Sequence, residues 1–139
     1  MSNKAANDKS SIIIDVENCL DVFEPAFMRM PKIRRIHGAA VRMEDALYDI
    51  IDNFYIAYTL GKEDIDEKKR YIRKMIGAFG RVSSTFKRLM RMKLGQCRSN
   101  TTGDFCRDMS LFSNSVSYEI ARHLEKIEEG IRKWSNSVK

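Results

Sequence analysis

A chain of 139 residues with 43% hydrophobic and 32% charged content can bury one substantial core and has the balance of a globular domain, which excludes a disordered or fibrous protein. Its net charge of +6 comes from 25 Lys and Arg against 19 Asp and Glu, and no apolar run approaches the ~20 residues of a membrane-spanning helix. Three cysteines without CxxC spacing argue against a disulfide framework and, with no apolar h-region near Met1, lead us to expect a cytoplasmic location.

Residues 1–11 are polar and of mixed charge and read as a disordered tail, so one folded domain is expected over residues 12–136. Two prolines and seven glycines leave room for long helices. The first is expected over residues 12–30, where Ile13, Val16, Leu20, Phe23 and Phe27 recur at spacings of three and four. Pro25 is expected to kink or shorten it. Pro31 either breaks the chain or opens the second helix at a position where its missing N–H costs nothing.

That second helix, residues 31–60, carries the stripe Ile36, Ala40, Met43, Leu47, Ile50, Phe54 and Ala57. A second stripe, Tyr48, Ile51, Tyr55 and Tyr58, lies beside it. One apolar face suffices for a surface helix, so the second calls for another helix of the bundle or another subunit. Gly61 is placed to end the helix. The third helix, residues 64–94, has the core stripe Ile72, Met75, Ile76, Phe79, Val82, Phe86, Leu89 and Met90. Gly95 to Gly103 is rich in turn formers and reads as a loop. The fourth helix, residues 104–134, opens with Asp104 as N-cap and aligns Phe105, Met109, Phe112, Val116, Ile120, Leu124, Ile127, Ile131 and Trp134. Long helices on short connectors predict an all-α, elongated, up-down-up-down four-helix bundle that is oligomeric.

The positive charge is concentrated. Residues 66–93 hold ten Lys and Arg and two acids, a local charge of +8, and the rest of the chain sums to −2. On a helix, Arg70, Arg73, Lys74, Arg81, Arg88 and Arg91 fall opposite the core stripe, with Lys69 and Lys87 at the border. Gly77 and Ser84 lie within that face and leave room for close approach to the backbone. An exposed run of Lys and Arg is ordinarily a solvated face. Here the compensating acids are missing from the same helix, and such a strip is the electrostatic footprint of a polyanion site. Five of the six central residues are Arg, whose fork matches phosphate oxygens. No pattern for reading bases is present, so contacts are expected to be mainly to phosphate, salt-sensitive and weakly sequence-specific, on RNA with DNA as the alternative. The acids of the second helix, Glu44, Asp45, Asp49 and Asp52, form a solvated face or pair with a neighbour's basic strip.

No P-loop, GxGxxG, GxSxG or HExxH motif occurs. Cys97 and Cys106 flank the loop, but His37 and His123 are far away in sequence, so zinc-ligand spacing is lacking. Di-iron bundles need Glu-x-x-His pairs. Glu119 precedes His123 by four positions and His37 has no such Glu. His123 beside Glu119 and Arg122 hints at acid–base cleavage of RNA, yet no second catalytic group is placed, and a polar helix flank is the better reading. A HEPN-type nuclease needs Arg and His more widely spaced than Arg34 and His37. No catalytic residue, metal, cofactor or small-molecule substrate is expected.

Pro31-Lys32-Ile33-Arg34-Arg35-Ile36-His37-Gly38 opens the second helix. A Pro-Lys-x-x-Arg-x-x-Gly stretch there resembles the four-helix bundle proteins of the 23S rRNA intervening-sequence superfamily, which includes the accessory variability determinants of diversity-generating retroelements. Ala57, the basic third helix and the closing Trp134 agree, and the resemblance spans residues 12–136. It implies a homopentameric barrel with a positive surface and no catalysis of its own. In the retroelement branch it implies binding of a reverse transcriptase and template RNA in support of mutagenic cDNA synthesis. Carried over, Lys32 and Arg35 belong to the helix-opening motif, and Arg73, Lys74, Arg81, Arg88 and Arg91 to the basic helix. The closing Glu128-Glu129-Gly130-Ile131-Arg132-Lys133-Trp134 matches only loosely, and the loop from Gly95 to Gly103 is long for the family. The competing expectation is a structural or regulatory bundle of the ribosomal-insert kind whose strip meets an acidic protein.

Overall fold

The computed structural model describes residues 3–92 and 110–138, the side chains of residues 3–10 excepted. Four α-helices and one 3-10 turn make up this part of the chain: α1 (Asn3–Arg29), α2 (Arg34–Thr59), the 3-10 turn (Lys62–Asp64), α3 (Ile65–Arg91) and α4 (Asn114–Ser137). The described fold is an all-helical bundle around one core, and no polar or charged residue is buried in it. A 27-residue helix such as α3 is ~40 Å long at ~1.5 Å per residue.

α2 packs most extensively on α3, and α1 on α4; α1–α2 and α3–α4 contacts are sparser. Neighbours run antiparallel. Asp49 of α2 meets Arg81 of α3. On the other pair, Ile12 lies beside Gly130, and Phe23 near the end of α1 meets Phe112 just ahead of α4.

Rings tie both ends together. At one end His37, Phe27, Phe23, Phe112 and Phe86 form a chain with successive centroids 5.5, 5.8, 6.2 and 5.8 Å apart. It links α2, α1, the approach to α4, and α3. At the other end Phe54 of α2 packs on Trp134 of α4 at 4.8 Å. Offset and tilted ring pairs of this kind add ~0.5–1.5 kcal/mol beyond their area burial.

Several boundaries differ from the expected ones. α1 begins at Asn3 rather than at residue 12, because residues 3–11 contain neither Gly nor Pro to stop it. Pro25 sits exposed inside α1, which continues to Arg29. Pro31 and Lys32 do not open α2. They lie in the connector, and extended Ile33 is the N-cap residue, in keeping with the bias of X-Pro dipeptides away from helix. α2 ends at Thr59, where extended Leu60 returns its N–H to the Ala57 carbonyl at 3.3 Å. Gly61 has φ −85° and so is not the left-handed stop expected of it.

α4 starts at Asn114, not at residue 104. Val116 donates its backbone N–H to Ser113 Oγ at 3.2 Å, which satisfies one of the free donors of the first turn. Phe112 is buried ahead of the helix instead of lying on its stripe. Asp104, Phe105, Met109, Cys97, Cys106, Lys93 and the loop of residues 95–103 lie outside the described residues. Replacing Ser113 with Ala removes the cap and is expected to cost about 1 kcal/mol in a denaturant melt.

The α3 stripe is narrower than its spacing suggested. Met75, Ala78, Val82 and Leu89 are fully buried, whereas Ile76 and Met90 are 46% and 40% exposed and Phe79 is half-buried. The helix turns its face toward α2, its main neighbour, and leaves its α4-side edge open. On α2 the second stripe is also open: Tyr48, Tyr55 and Tyr58 are exposed and Ile51 is half-buried.

Candidate nucleic-acid interface

The burial of Met75, Ala78, Val82 and Leu89 decides where the charges of α3 go. Arg70, Arg73, Lys74, Arg81, Lys87, Arg88 and Arg91 are all exposed on the side away from the core. Lys68 alone among the basic residues of α3 is half-buried, with Nζ 3.4 Å from the Leu60 carbonyl. Gly77 and Ser84 are exposed within the basic face, and nothing lies within 4 Å of where a Cβ on Gly77 would stand. The surface at Gly77 is therefore open to close approach.

Two of the cations are engaged. Arg81 donates to Asp49 Oδ2 at 2.7 Å, with the two side chains 57% and 48% exposed. Arg70 donates to Glu67 Oε1 at 2.9 Å. Both are surface pairs, worth ~1 kcal/mol at most. Arg70 and Lys74 also flank the Tyr71 ring, at 5.8 and 4.8 Å. Among the described residues, Arg73, Lys87, Arg88 and Arg91 meet no carboxylate within ion-pair distance. Asp66 and Glu67 in the first turn of α3, and Arg88 and Arg91 in the last, suit the helix dipole. The dipole gives no reason for the charges in mid-helix.

The Arg81–Asp49 pair also marks the register between α2 and α3. Arg35, Arg42 and Asp49 recur every seven residues on α2, as Lys74, Arg81 and Arg88 do on α3. Running antiparallel, the step from Asp49 back to Arg42 matches the step from Arg81 on to Arg88. The basic surface thus continues onto α2 through Arg42, which is exposed. Arg35 and Lys32, also exposed, lie at the same end of the bundle as Arg88 and Arg91. Arg42 escaped the sequence reading; its heptad relation to Arg35 and Asp49 is the signal that marks it.

Asp49 is on the α3 side of α2, whereas Glu44 lies on the opposite flank, beside Glu24 of α1. Tyr48 donates its hydroxyl to Glu24 Oε2 at 3.2 Å. A hydrogen bond with Glu24, then burial, then the charges of Glu24 and Asp45 push the Glu44 carboxyl from its ordinary 4.5 to about 7. Folded Glu44 therefore keeps a proton that the unfolded chain has released, and stability falls as pH rises from about 4.5 to about 7. Glu44→Gln can make the same bond without titrating. It is expected to raise the melting temperature above pH 7 and to leave it unchanged below pH 4.5. The gain should stay under about 1 kcal/mol, because solvent screens the pair.

Elsewhere the chemistry is sparse. Burial pushes the Cys19 thiol up to about 12, so it stays a packing group. His123 keeps Nδ1 buried without a hydrogen-bond partner. Nearby Asp15 is raised by burial, against the pull of Lys126 and His123. Among the described residues no group of His, Cys, Asp and Glu is placed to hold a metal ion, and no helix is long and apolar enough to cross a membrane.

Fold and surface together define an all-helical bundle with one basic, arginine-rich face. In comparison with known proteins, no family model, no curated protein and no solved structure matches the chain.

Proposed function

We propose that this protein is a non-catalytic RNA-binding adaptor, the accessory protein of a diversity-generating retroelement. On this reading its basic face holds the template RNA while the bundle docks the reverse transcriptase. The observation that carries it is the exposed row of Arg73, Arg88 and Arg91, joined by Lys87, with no carboxylate beside them among the described residues. Charges held together at a cost in self-repulsion are stabilised by a polyanion. The stretch Pro31 to Gly38, which resembles a motif of the superfamily that holds both branches, sets exposed Lys32 and Arg35 at the same end of the bundle as Arg88 and Arg91.

The adaptor is proposed to work as a homo-oligomer, a pentamer if it follows the family. Tyr48 and Tyr55, exposed beside half-buried Ile51 and exposed Ile14, are the apolar surface for a neighbouring subunit. Several basic faces in one assembly raise the effective concentration for a single RNA.

Titrating the whole chain with labelled single-stranded RNA at rising salt tests the reading. The logarithm of the affinity should fall linearly with the logarithm of salt between about 50 and 200 mM, and heparin should displace the RNA. Binding indifferent to salt would reject it. The runner-up, a structural bundle whose basic face meets an acidic protein, rests on the same charges and predicts a complex that survives nuclease. Gel filtration with light scattering, on the native chain and on Tyr48→Glu/Tyr55→Glu, tests the oligomer: a native monomer removes that part of the proposal.

A further inference from the structure

α2 and α3 are the most extensively packed helices of the bundle, and their facing edges form a ladder of side-chain rungs. One rung is Asp49 with Arg81, whose guanidinium lies 2.7 Å from the carboxylate. A step of seven residues is nearly two turns of helix, ~10.5 Å of rise, and returns the next side chain to nearly the same edge. Because the helices are antiparallel, the step back from Asp49 to Arg42 accompanies the step on from Arg81 to Arg88. In the other direction the rung is Ile56 with Lys74. Of these three rungs, one is closed by a carboxylate, one sets a cation beside an apolar side chain, and Arg42–Arg88 sets two cations across the seam from each other.

Both arginines are exposed, and neither belongs to an ion pair among the described residues. Asp45, one turn from Arg42 along α2, is also exposed and pairs with neither of them. Ala39 and Ala46, one turn to either side of Arg42, are buried. Such small side chains favour close approach of packed helices, whose axes lie ~8–10 Å apart. Two long side chains on opposite edges of so narrow a seam reach a common point in front of it. Like charges held there repel, and an anion between them reverses the sign of the interaction. The planar fork of Arg matches phosphate oxygens two at a time, so one phosphate can accept from both arms.

We infer that Arg42 and Arg88 form a two-armed clamp across the α2–α3 seam, a binding site for one backbone phosphate of the RNA. The clamp rests on the RNA-binding reading and adds to it a position for the ligand and a second helix. Arg73 and Arg91 draw a strand along α3, whereas the clamp brings it over the seam onto α2.

Filter binding of labelled single-stranded RNA to the full chain, across a salt series, tests the site. Arg42→Gln and Arg88→Gln should each weaken binding at least threefold. The double variant should be no more than twofold weaker than the worse single one, because both arms hold the same phosphate. All three variants should lower the slope of log affinity against log salt by about 0.7, the value for one phosphate on a single strand. Arg73→Gln shares no rung with Arg42, so its effect should multiply with that of Arg42→Gln. A measurement without RNA checks the rung itself. Arg42→Glu sets an acid opposite Arg88, as Asp49 stands opposite Arg81. At low salt it should raise the thermal midpoint by about 1–3 °C more in the native chain than in an Arg88→Gln background. Equal shifts in the two backgrounds overturn the clamp, and so do Arg42 and Arg88 losses that multiply. Arg42→Gln binding like the native chain while Arg73→Gln and Arg88→Gln bind weakly also overturns it, but leaves the RNA face of α3 standing. RNA binding that is absent, or unmoved by all three arginine changes, rejects the RNA face and the clamp together.

Discussion

Replacing Arg73, Arg88 and Arg91 together with Ala is expected to weaken RNA binding by roughly tenfold or more at low salt, and to lower the slope of log affinity against log salt by about two to three. These three have no carboxylate partner among the described residues, so their removal breaks no ion pair within the described fold. Helicity should hold, since Ala is the better helix former. Only the favourable dipole terms of Arg88 and Arg91 are lost, at ~0.3–1 kcal/mol each. Arg81 is a poorer probe despite its central place. Its guanidinium already sits 2.7 Å from Asp49, so Arg81→Ala removes one cation and uncovers one anion. The converse change, Asp49→Ala, frees Arg81 and should tighten RNA binding about threefold, if one more phosphate contact is gained. Filter binding across a salt series measures both. A triple variant that binds like its parent would move the RNA site off α3 altogether.

That contrast between Arg81 and its neighbours marks the limit of what one chain's letters disclose. The outward position of the basic row was legible, because charges opposite an apolar stripe on the same helix have only solvent to face. The number and order of the helices were legible for the same reason of periodicity. The Arg81–Asp49 pair was not, because register between two helices depends on how their side chains interlock, and neither helix carries that information alone. Arg42 was overlooked on the same account. Within a helix, the width of the buried stripe was overread: Ile76 and Met90 have the right spacing, but α3 faces α2 and not the gap beside α4. Ends were the least legible. Ser113 and Asp104 are both good caps, and the burial of Phe112 against Phe23 and Phe86 keeps the residues just ahead of Ser113 in the core and out of the helix.

Phe23→Ala is expected to be the most damaging single truncation in the described core, at about 3–5 kcal/mol. The ring is fully buried, and it is the middle of the aromatic chain, 5.8 Å from Phe27 and 6.2 Å from Phe112. Truncation leaves a cavity and severs two ring contacts, so it loosens α1 from the approach to α4. For a chain of this size that loss lowers the thermal midpoint by roughly 10–20 °C. Met28, five residues on and 83% exposed, should tolerate Ala within about 0.5 kcal/mol, which controls for a general weakness of α1. Phe23→Leu refills most of the space and should recover more than half of the loss. Thermal melts by circular dichroism read all three. If Phe23→Ala melts no lower than Met28→Ala, the ring chain does not hold the bundle, and the path from Phe112 to a helix beginning at Asn114 needs another anchor.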